Sequence, residues 1–390
     1  MAAGTLTTAI VPTYNRSALL VETLNSLLAQ TLPPGEIIVA DDGSTDQTRE
    51  TVAQFGEKIR YFRGENSGKA DKLNKAIALA RHPLIWIVDD DDLVLPDALK
   101  TLTDLIEADP KIGFSYGRYE RFTKDPVTGE LNRYDGGYWQ DVGSDRFLLA
   151  TLQDFFVHHP GMLVRKSAFE LVGPFSTTLP RSEDYEMLIR LARAFPCSGT
   201  QKLVFLQRQH DGDRYGGLQA SKRVDIWIAE QKSLFESVRA DGGLSDYLPG
   251  VHLSDHELSD TQRRQALITR GAVMGRKKLW NLAFADFAAA CKVAGLQSKL
   301  STDEKAALRA TFFSKFGCSE LIDDPTIASQ VVALSTFGNT GISIAQTLAR
   351  SLLWFIKTAM KEGHLSDMRK YTILALRFAL ARPKRDSRTR

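Results

Sequence analysis

The chain has 390 residues, more than one hydrophobic core usually supports, so two domains are expected. Its 43% hydrophobic and 25% charged content is that of an ordinary globular protein, and a net charge of +3 gives no reason to expect a nucleic-acid partner. Three scattered cysteines, Cys197, Cys291 and Cys318, suit a reducing compartment and exclude a disulfide framework or a cysteine-rich metal site.

The first residues, Met1 to Thr8, carry neither the basic start nor the apolar run of a signal peptide. No stretch reaches the roughly 18 uninterrupted apolar residues of a spanning helix. The nearest, Ile342 to Met360, is broken by Gln346, Arg350 and Lys357. The expectation is a cytoplasmic protein, soluble or peripheral on the inner face of the membrane.

In chain order, Leu6 to Val11 reads as a buried strand stopped by Pro12, followed by a helix with Leu20, Leu24, Leu27 and Leu28 on one face. Glu36 to Ala40 is a second strand, ended by Asp41-Asp42-Gly43-Ser44, with Ser44 or Thr45 capping a short helix. Arg60 to Phe62 is a third strand, and Gly68 to Ala80 a helix with Leu73, Ala76, Ile77 and Ala80 inward. Leu84 to Val88 is a fourth strand running straight into Asp89-Asp90-Asp91-Asp92. This alternation predicts an α/β fold with a mostly parallel, doubly wound sheet. Strands are expected again at Gly113 to Arg121, Gly161 to Arg165 and Lys202 to Gln207, and a helix at Ser182 to Phe195.

Past about Val224 the strand signal disappears. Helical periods cover Asp225–Arg239, Gln262–Met274, Leu279–Val293, Asp303–Phe316 and Ile342–Lys361, and Gly271 to Gly295 faintly resembles one tetratricopeptide hairpin. The expected division is 1–222 for the α/β domain and 223–390 for an all-helical one, the latter with an acceptor, membrane-surface or oligomer role. Near its end Met368, Tyr371, Leu374 and Phe378 share a helical side, and Arg382, Lys384, Arg385, Arg388 and Arg390 form a basic tail. Two readings of that end compete: peripheral contact with an anionic membrane through the tail, or a core-packing helix with a solvated tail.

In a parallel sheet the loops after the strand carboxyl ends line the ligand crevice. Three such loops here are heavily polar: Pro12 to Arg16, Asp41 to Ser44, and Asp89 to Asp92. Four successive aspartates repel one another unless water, a cation or donors offset them. Hard oxygen ligands suit Mg²⁺ or Mn²⁺ sharing its shell with a substrate phosphate. A solvated acidic turn capping the helix near Pro96 is the alternative. Because the preceding strand is so apolar, the aspartates must emerge at its buried mouth.

Each of the other candidates carries an alternative. Asp41 and Asp42 are suited to a base N–H or a ribose hydroxyl, or to an Asx-turn. Tyr14 is suited to stacking on a nucleobase, or to packing. Lys69 and Lys72, at a helix start behind Asn66-Ser67-Gly68, suit a diphosphate or a solvated surface. Glu183 and Asp184 head a helix, where they reach into a cleft or support a cap by Ser182. His210 is suited to a metal shell or a phosphate, or to a structural role.

Taken in order, these segments resemble the inverting family-two glycosyltransferases of the GT-A fold, over roughly residues 5 to 212. The resemblance rests on Ile10 to Arg16 with Gln30-Thr31, Glu36 to Asp46, Asn66-Ser67-Gly68 with Asn74, Val88 to Asp92 with Pro96, Gly161, Val172 to Phe175, and Glu183-Asp184 with Arg190. It implies transfer of a sugar from a nucleotide-diphosphate donor, UDP-linked in the first instance, to a saccharide or lipid-linked hydroxyl, with Mn²⁺ or Mg²⁺ as cofactor. Bacterial polysaccharide biosynthesis is the setting it suggests. On this chain Thr13, Tyr14 and Asp41 resemble base-binding positions, Pro12 and Asp42 further donor-binding positions, Lys69 and Lys72 the diphosphate contacts, and Asp89-Asp90-Asp91 the DxD element. Within that element Asp90 falls near the ribose and Asp91 on the metal, joined by His210. Asp184 is similar to the family's general base, supported by Glu183 and Gly161.

Three rivals remain. A nucleotidyltransferase would want a glycine-rich basic loop after the first strand, which Pro12-Thr13-Tyr14-Asn15 is not. A non-catalytic sugar-nucleotide binder would not need Asp184. A dinucleotide dehydrogenase would want G-x-G-x-x-G after the first strand, and none follows it.

Overall fold

The computed structural model of the protein describes residues 5–179, 181–209, 220–293 and 299–382. Contacts divide the chain into two compact units, Met1–Gly217 and Leu218–Arg390.

The first unit runs β1 (Thr5–Thr13), α1 (Ser17–Leu28), β2 (Pro34–Asp41), α2 (Thr48–Ala53), β3 (Arg60–Arg63), α3 (Lys69–Leu79) and β4 (Leu84–Ile87). It continues through β5 (Leu93–Val94), α4 (Ala98–Glu107), β6 (Phe114–Lys124), β7 (Leu131–Asp135), α5 (Ser144–Gln153), β8 (Met162–Arg165), α6 (Lys166–Val172), α7 (Glu183–Ala194) and β9 (Cys197–Arg208). The strands form one mixed sheet in the order β3-β2-β1-β4-β8-β6-β9-β5, with β7 pairing β6 outside that path. β3, β2, β1 and β4 are mutually parallel, β8 lies antiparallel between β4 and β6, and β9 is parallel to β6.

The near-continuous apolar strands follow from burial on both faces. Ile10, Ile38, Ala40, Ile85 and Ile87 face one core with Leu73 and Ala76 of α3 and Met187, Leu188 and Leu191 of α7. The alternate residues Ala9, Val11, Ile37, Val39, Leu84 and Trp86 face the other, against Leu20, Leu24 and Leu27 of α1 and Leu99 and Leu102 of α4. The period-2 alternation therefore sorts residues between two helix layers rather than between core and water.

Several boundaries differ from the sequence reading. Pro12 does not end β1, which continues to Thr13. β4 pairs only as far as Ile10, so no partner on that side needs the missing N–H of Pro12. The aspartate run does not cap the helix after it, because β5 intervenes and α4 begins at Ala98 behind Asp97. β5, β7, α5 and α6 were not anticipated; β7 is exposed along its whole length and shows no amphipathic alternation.

The second unit is helical: α8 (Ala220–Asp241), α9 (Asp260–Arg276), α10 (Trp280–Cys291), α11 (Thr302–Ala310), α12 (Glu320–Asp323), α13 (Pro325–Ala333), α14 (Gly338–Lys361) and α15 (Leu365–Ala379). α9 packs on α10, and Gly271 permits this because a Cβ there would lie 2.6 Å from the Phe287 ring. α15 folds back on α14, turning Tyr371 onto Phe355 at 5.3 Å and burying Phe378. The side expected to carry Met368, Tyr371, Leu374 and Phe378 is thus the packed side. Of the basic tail, Lys384, Arg385, Arg388 and Arg390 lie outside the described residues. Among the described residues no helix is long and apolar enough to cross a membrane.

Candidate active site

The loops after β1 and β4 and the head of α3 meet around a cavity of about 330 Å³. Its walls are Pro12, Thr13, Tyr14, Arg16, Ala40, Asp42, Lys69, Lys72, Asp89, Asp90 and Asp91. Every one of these except Arg16 and Ala40 was expected as a site residue.

The floor is an ion-paired network. Thr13 Oγ1 donates to Asp90 at 2.7 Å, and Arg16 Nη1 bridges Asp90 at 3.0 Å and Asp91 at 2.9 Å. Burial and the neighbouring Asp91 push the Asp90 carboxyl up to about 6, against the opposing pull of Arg16. Burial also acts against the Arg16 charge, but Asp90 and Asp91 more than compensate and hold its pKa above the usual value. Asp92 turns away from the cavity to accept the backbone N–H of Arg208 at 2.8 Å, so it joins the loop to β9.

Lys69 Nζ lies 2.6 Å from Asp89. Burial disfavours its charge, yet Asp89, Glu183 and Asp184 hold its pKa above the ordinary lysine value. The head of α7 thus acts electrostatically on the cavity rim. Asp184 itself is pushed up to about 6, by burial first and by Glu183 second, with Lys69 and the Tyr185 N–H opposing. A carboxylate so placed is a stronger base than one in water, which is what a proton acceptor near neutral pH requires. The expected cap by Ser182 is not formed through its side chain. Ser182 instead adopts a left-handed backbone, φ 66°, immediately before the helix begins.

Asp42 lines the cavity and accepts the N–H groups of Ser67 and Gly68 at 2.8 and 3.0 Å. Fully buried Lys72 reaches Asp42 at 3.0 Å and the Glu65 carbonyl at 2.6 Å, so it braces the loop before α3. Asp41 is fully buried and does not line the cavity; it accepts from Ser44 N–H at 2.8 Å and from the Tyr61 hydroxyl. Tyr61 and Arg63 in turn line an adjacent cleft with Gly43 and Asn66. Gly161 packs beneath the sheet, where a Cβ would stand 3.0 Å from the Phe205 ring and 3.1 Å from the Gly117 carbonyl. His210 lies outside the described residues.

His159 was missed by the sequence reading. It is 3% exposed, and burial together with nearby Lys69 lowers its pKa to about 3, so the ring is neutral. Among the described residues neither ring nitrogen meets a hydrogen-bond partner. Only its place just before the antiparallel β8, whose partner β4 ends at the aspartates, could have pointed to it.

Among the described residues no three His, Cys, Asp or Glu side chains gather closely enough to form a metal site alone. Asp89 and Asp91 nevertheless offer carboxylate oxygens at one cavity, a donor set suited to a hard dication that keeps waters and ligand oxygens in its shell.

Residues 8–173 match the family model of glycosyl transferase family 2. An uncharacterized glycosyltransferase of Rickettsia conorii is 30% identical over 236 residues, covering 60% of this chain and 38% of that protein. Chondroitin synthase of Escherichia coli is 26% identical over 220 residues, 55% of this chain and 30% of its own length. The chain thus spans well under two thirds of these relatives. Among solved structures, S. aureus TarS 1-349 in complex with UDP-GlcNAc shares the fold at a TM-score of 0.51 and 16% identity, covering 97% of this chain and 93% of that one. Over residues 8–173 the chain is similar to glycosyl transferase family 2, and its mixed sheet, which shares the fold of that TarS structure, is followed by a helical region.

Proposed function

We propose that the first unit transfers a sugar from a nucleotide-diphosphate donor to an acceptor hydroxyl with inversion at the anomeric carbon. One observation carries this reading: the acidic tip of β4 shares a cavity with Tyr14 and Asp42, and Lys69 links that cavity electrostatically to the raised carboxyl of Asp184.

In this reading Tyr14, half exposed at the rim, offers a face to the nucleobase, while Asp41 holds Tyr61 and shapes the wall behind it. Asp90, fixed by Thr13 and Arg16, faces the ribose. Asp91 with Asp89 would hold Mn²⁺ or Mg²⁺, whose charge offsets that of the departing diphosphate. Lys69 adds positive charge on the same side, and Lys72 keeps the Ser67-Gly68 turn in place. Asp184 accepts the proton of the attacking hydroxyl as its oxygen bonds the anomeric carbon and the carbon–oxygen bond to the diphosphate breaks. One displacement inverts the centre. Gly161 and Glu183 support this arrangement through packing and charge.

UDP-sugars are the first donors to test, given the ligand of the fold-sharing TarS structure. A saccharide or lipid-linked acceptor fits the family's chemistry. The experiment is a nucleotide-sugar panel read by thermal stabilisation with and without Mn²⁺ or Mg²⁺, followed by transfer assays on Asp184→Asn. Donor binding retained with transfer lost is the expected result. Transfer by Asp184→Asn at the unmodified rate overturns the assignment of the base, and donor binding without transfer by the wild type favours a binding role.

A further inference from the structure

α15 is apolar on two sides, and only one is used inside the fold. Tyr371, Leu374 and Phe378 turn toward α14, whereas Leu365, Ile373, Leu376 and Leu380 stand 55–71% exposed. At 100° per residue these four fall within one outward stripe, with Arg369 in its middle and Lys370 and Arg377 on its flank. On α14, Trp354 and Met360 are also 53% and 61% exposed, with Lys357 and Lys361 nearby in sequence. From Gly338 to Leu380 there are six basic residues, Arg350, Lys357, Lys361, Arg369, Lys370 and Arg377, against the two acids Glu362 and Asp367.

We infer that the outward stripe of α15 docks on an anionic lipid surface, with its apolar residues entering the headgroup boundary and Arg369, Lys370 and Arg377 meeting lipid phosphate. Charge decides the occupant. Two copies of this face related by a two-fold axis would bring cations against cations, since a symmetric interface pairs a patch with itself. An anionic membrane complements both components at once: it takes up apolar area and attracts lysine and arginine within a Debye length. The helix lies on the surface, as it is not long and apolar enough to span it. The basic tail is not required. Lipid binding here is independent of which sugar, if any, the first unit transfers.

The test is flotation of the full chain with vesicles of phosphatidylglycerol and phosphatidylcholine, against phosphatidylcholine alone. The wild type floats with the anionic vesicles, and about 0.5 M salt, which shortens the Debye length to a few ångström, weakens this. Ile373→Asp with Leu376→Asp, and separately Arg369→Glu with Lys370→Glu, each lower the bound fraction roughly tenfold. Unchanged thermal unfolding of both variants, expected at exposed positions, separates this loss from misfolding. Failure of the wild type to float, or flotation of both variants at the wild-type level, overturns the proposal. So does a wild-type dimer that the first variant makes monomeric without any vesicle binding, because the partner is then a second copy.

Discussion

Both units bury charge, but they use it in opposite ways. In the helical unit the charges close on one another: Arg264 meets Glu304 at 2.7 Å, and Arg239 and Arg270 each meet Asp286 at 2.8 Å. These pairs cross between helices, and removing one partner would strand the other. In the first unit the charges surround a cavity, and their balance is incomplete: Asp90 and Asp184 are held above the ordinary carboxylate range by burial and by other acids. Closed pairs hold a fold together. An open ring of acids and bases stores electrostatic free energy that a ligand can release, which is why perturbed carboxyls gather at sites of chemistry.

Substitutions on the two sides should separate these uses. The largest effect is expected from Asp184→Asn: a loss of transfer of about 10²–10⁴-fold, the usual share of a positioned general base, with donor affinity unchanged in a thermal-shift titration. Equal loss of donor affinity would break the contrast, for Asp184 would then be a binding group. Asp286→Ala should instead cost about 3 kcal/mol of stability by leaving two guanidinium groups unpaired, measured by denaturant unfolding, with transfer per folded molecule retained. Gly161→Ala should cost roughly 1–3 kcal/mol, because its Cβ is forced against the Phe205 ring.

The smallest expected effect, and the most informative about coupling, is on pH dependence. Wild-type transfer should fall as pH drops through about 6, where Asp184 takes up a proton. Lys69 lowers that pKa, so Lys69→Met should move the acid limb of the kcat/KM profile to higher pH while reducing its plateau roughly tenfold. A limb that moves to lower pH would show that Lys69 and Asp184 are not linked as described.

Much of this site was legible in the sequence because two apolar strands, Ala9-Ile10-Val11 and Leu84 to Ile87, end in polar residues, and a strand buried on both faces delivers its last residues to the sheet edge. What periodicity could have added was the division between Asp41 and Asp42. Asp41 continues the side of Ile37 and Val39, away from Ala40, whereas Asp42 lines the cavity. Other features had no sequence signal. β5 is two residues long, and β7 is exposed throughout. The burial of His159, whose ring meets Phe175 edge-on, arises from packing between segments distant in sequence. In α15 the inward side was readable as a helical face, but an apolar stripe on both sides of one helix defeats a single-face reading.

Asn15 gives the rim a mechanical property. Its backbone is left-handed, φ 52°; its side chain accepts from Thr45 N–H at 2.7 Å, and its own N–H donates to Ser44 Oγ at 2.9 Å. Two neighbouring turns are thereby riveted into one plate, and Tyr14 rides on it. The backbone that carries Tyr14 cannot shift without dragging residues 44 and 45 along, so an insertion there would move the ring's anchor from a distance.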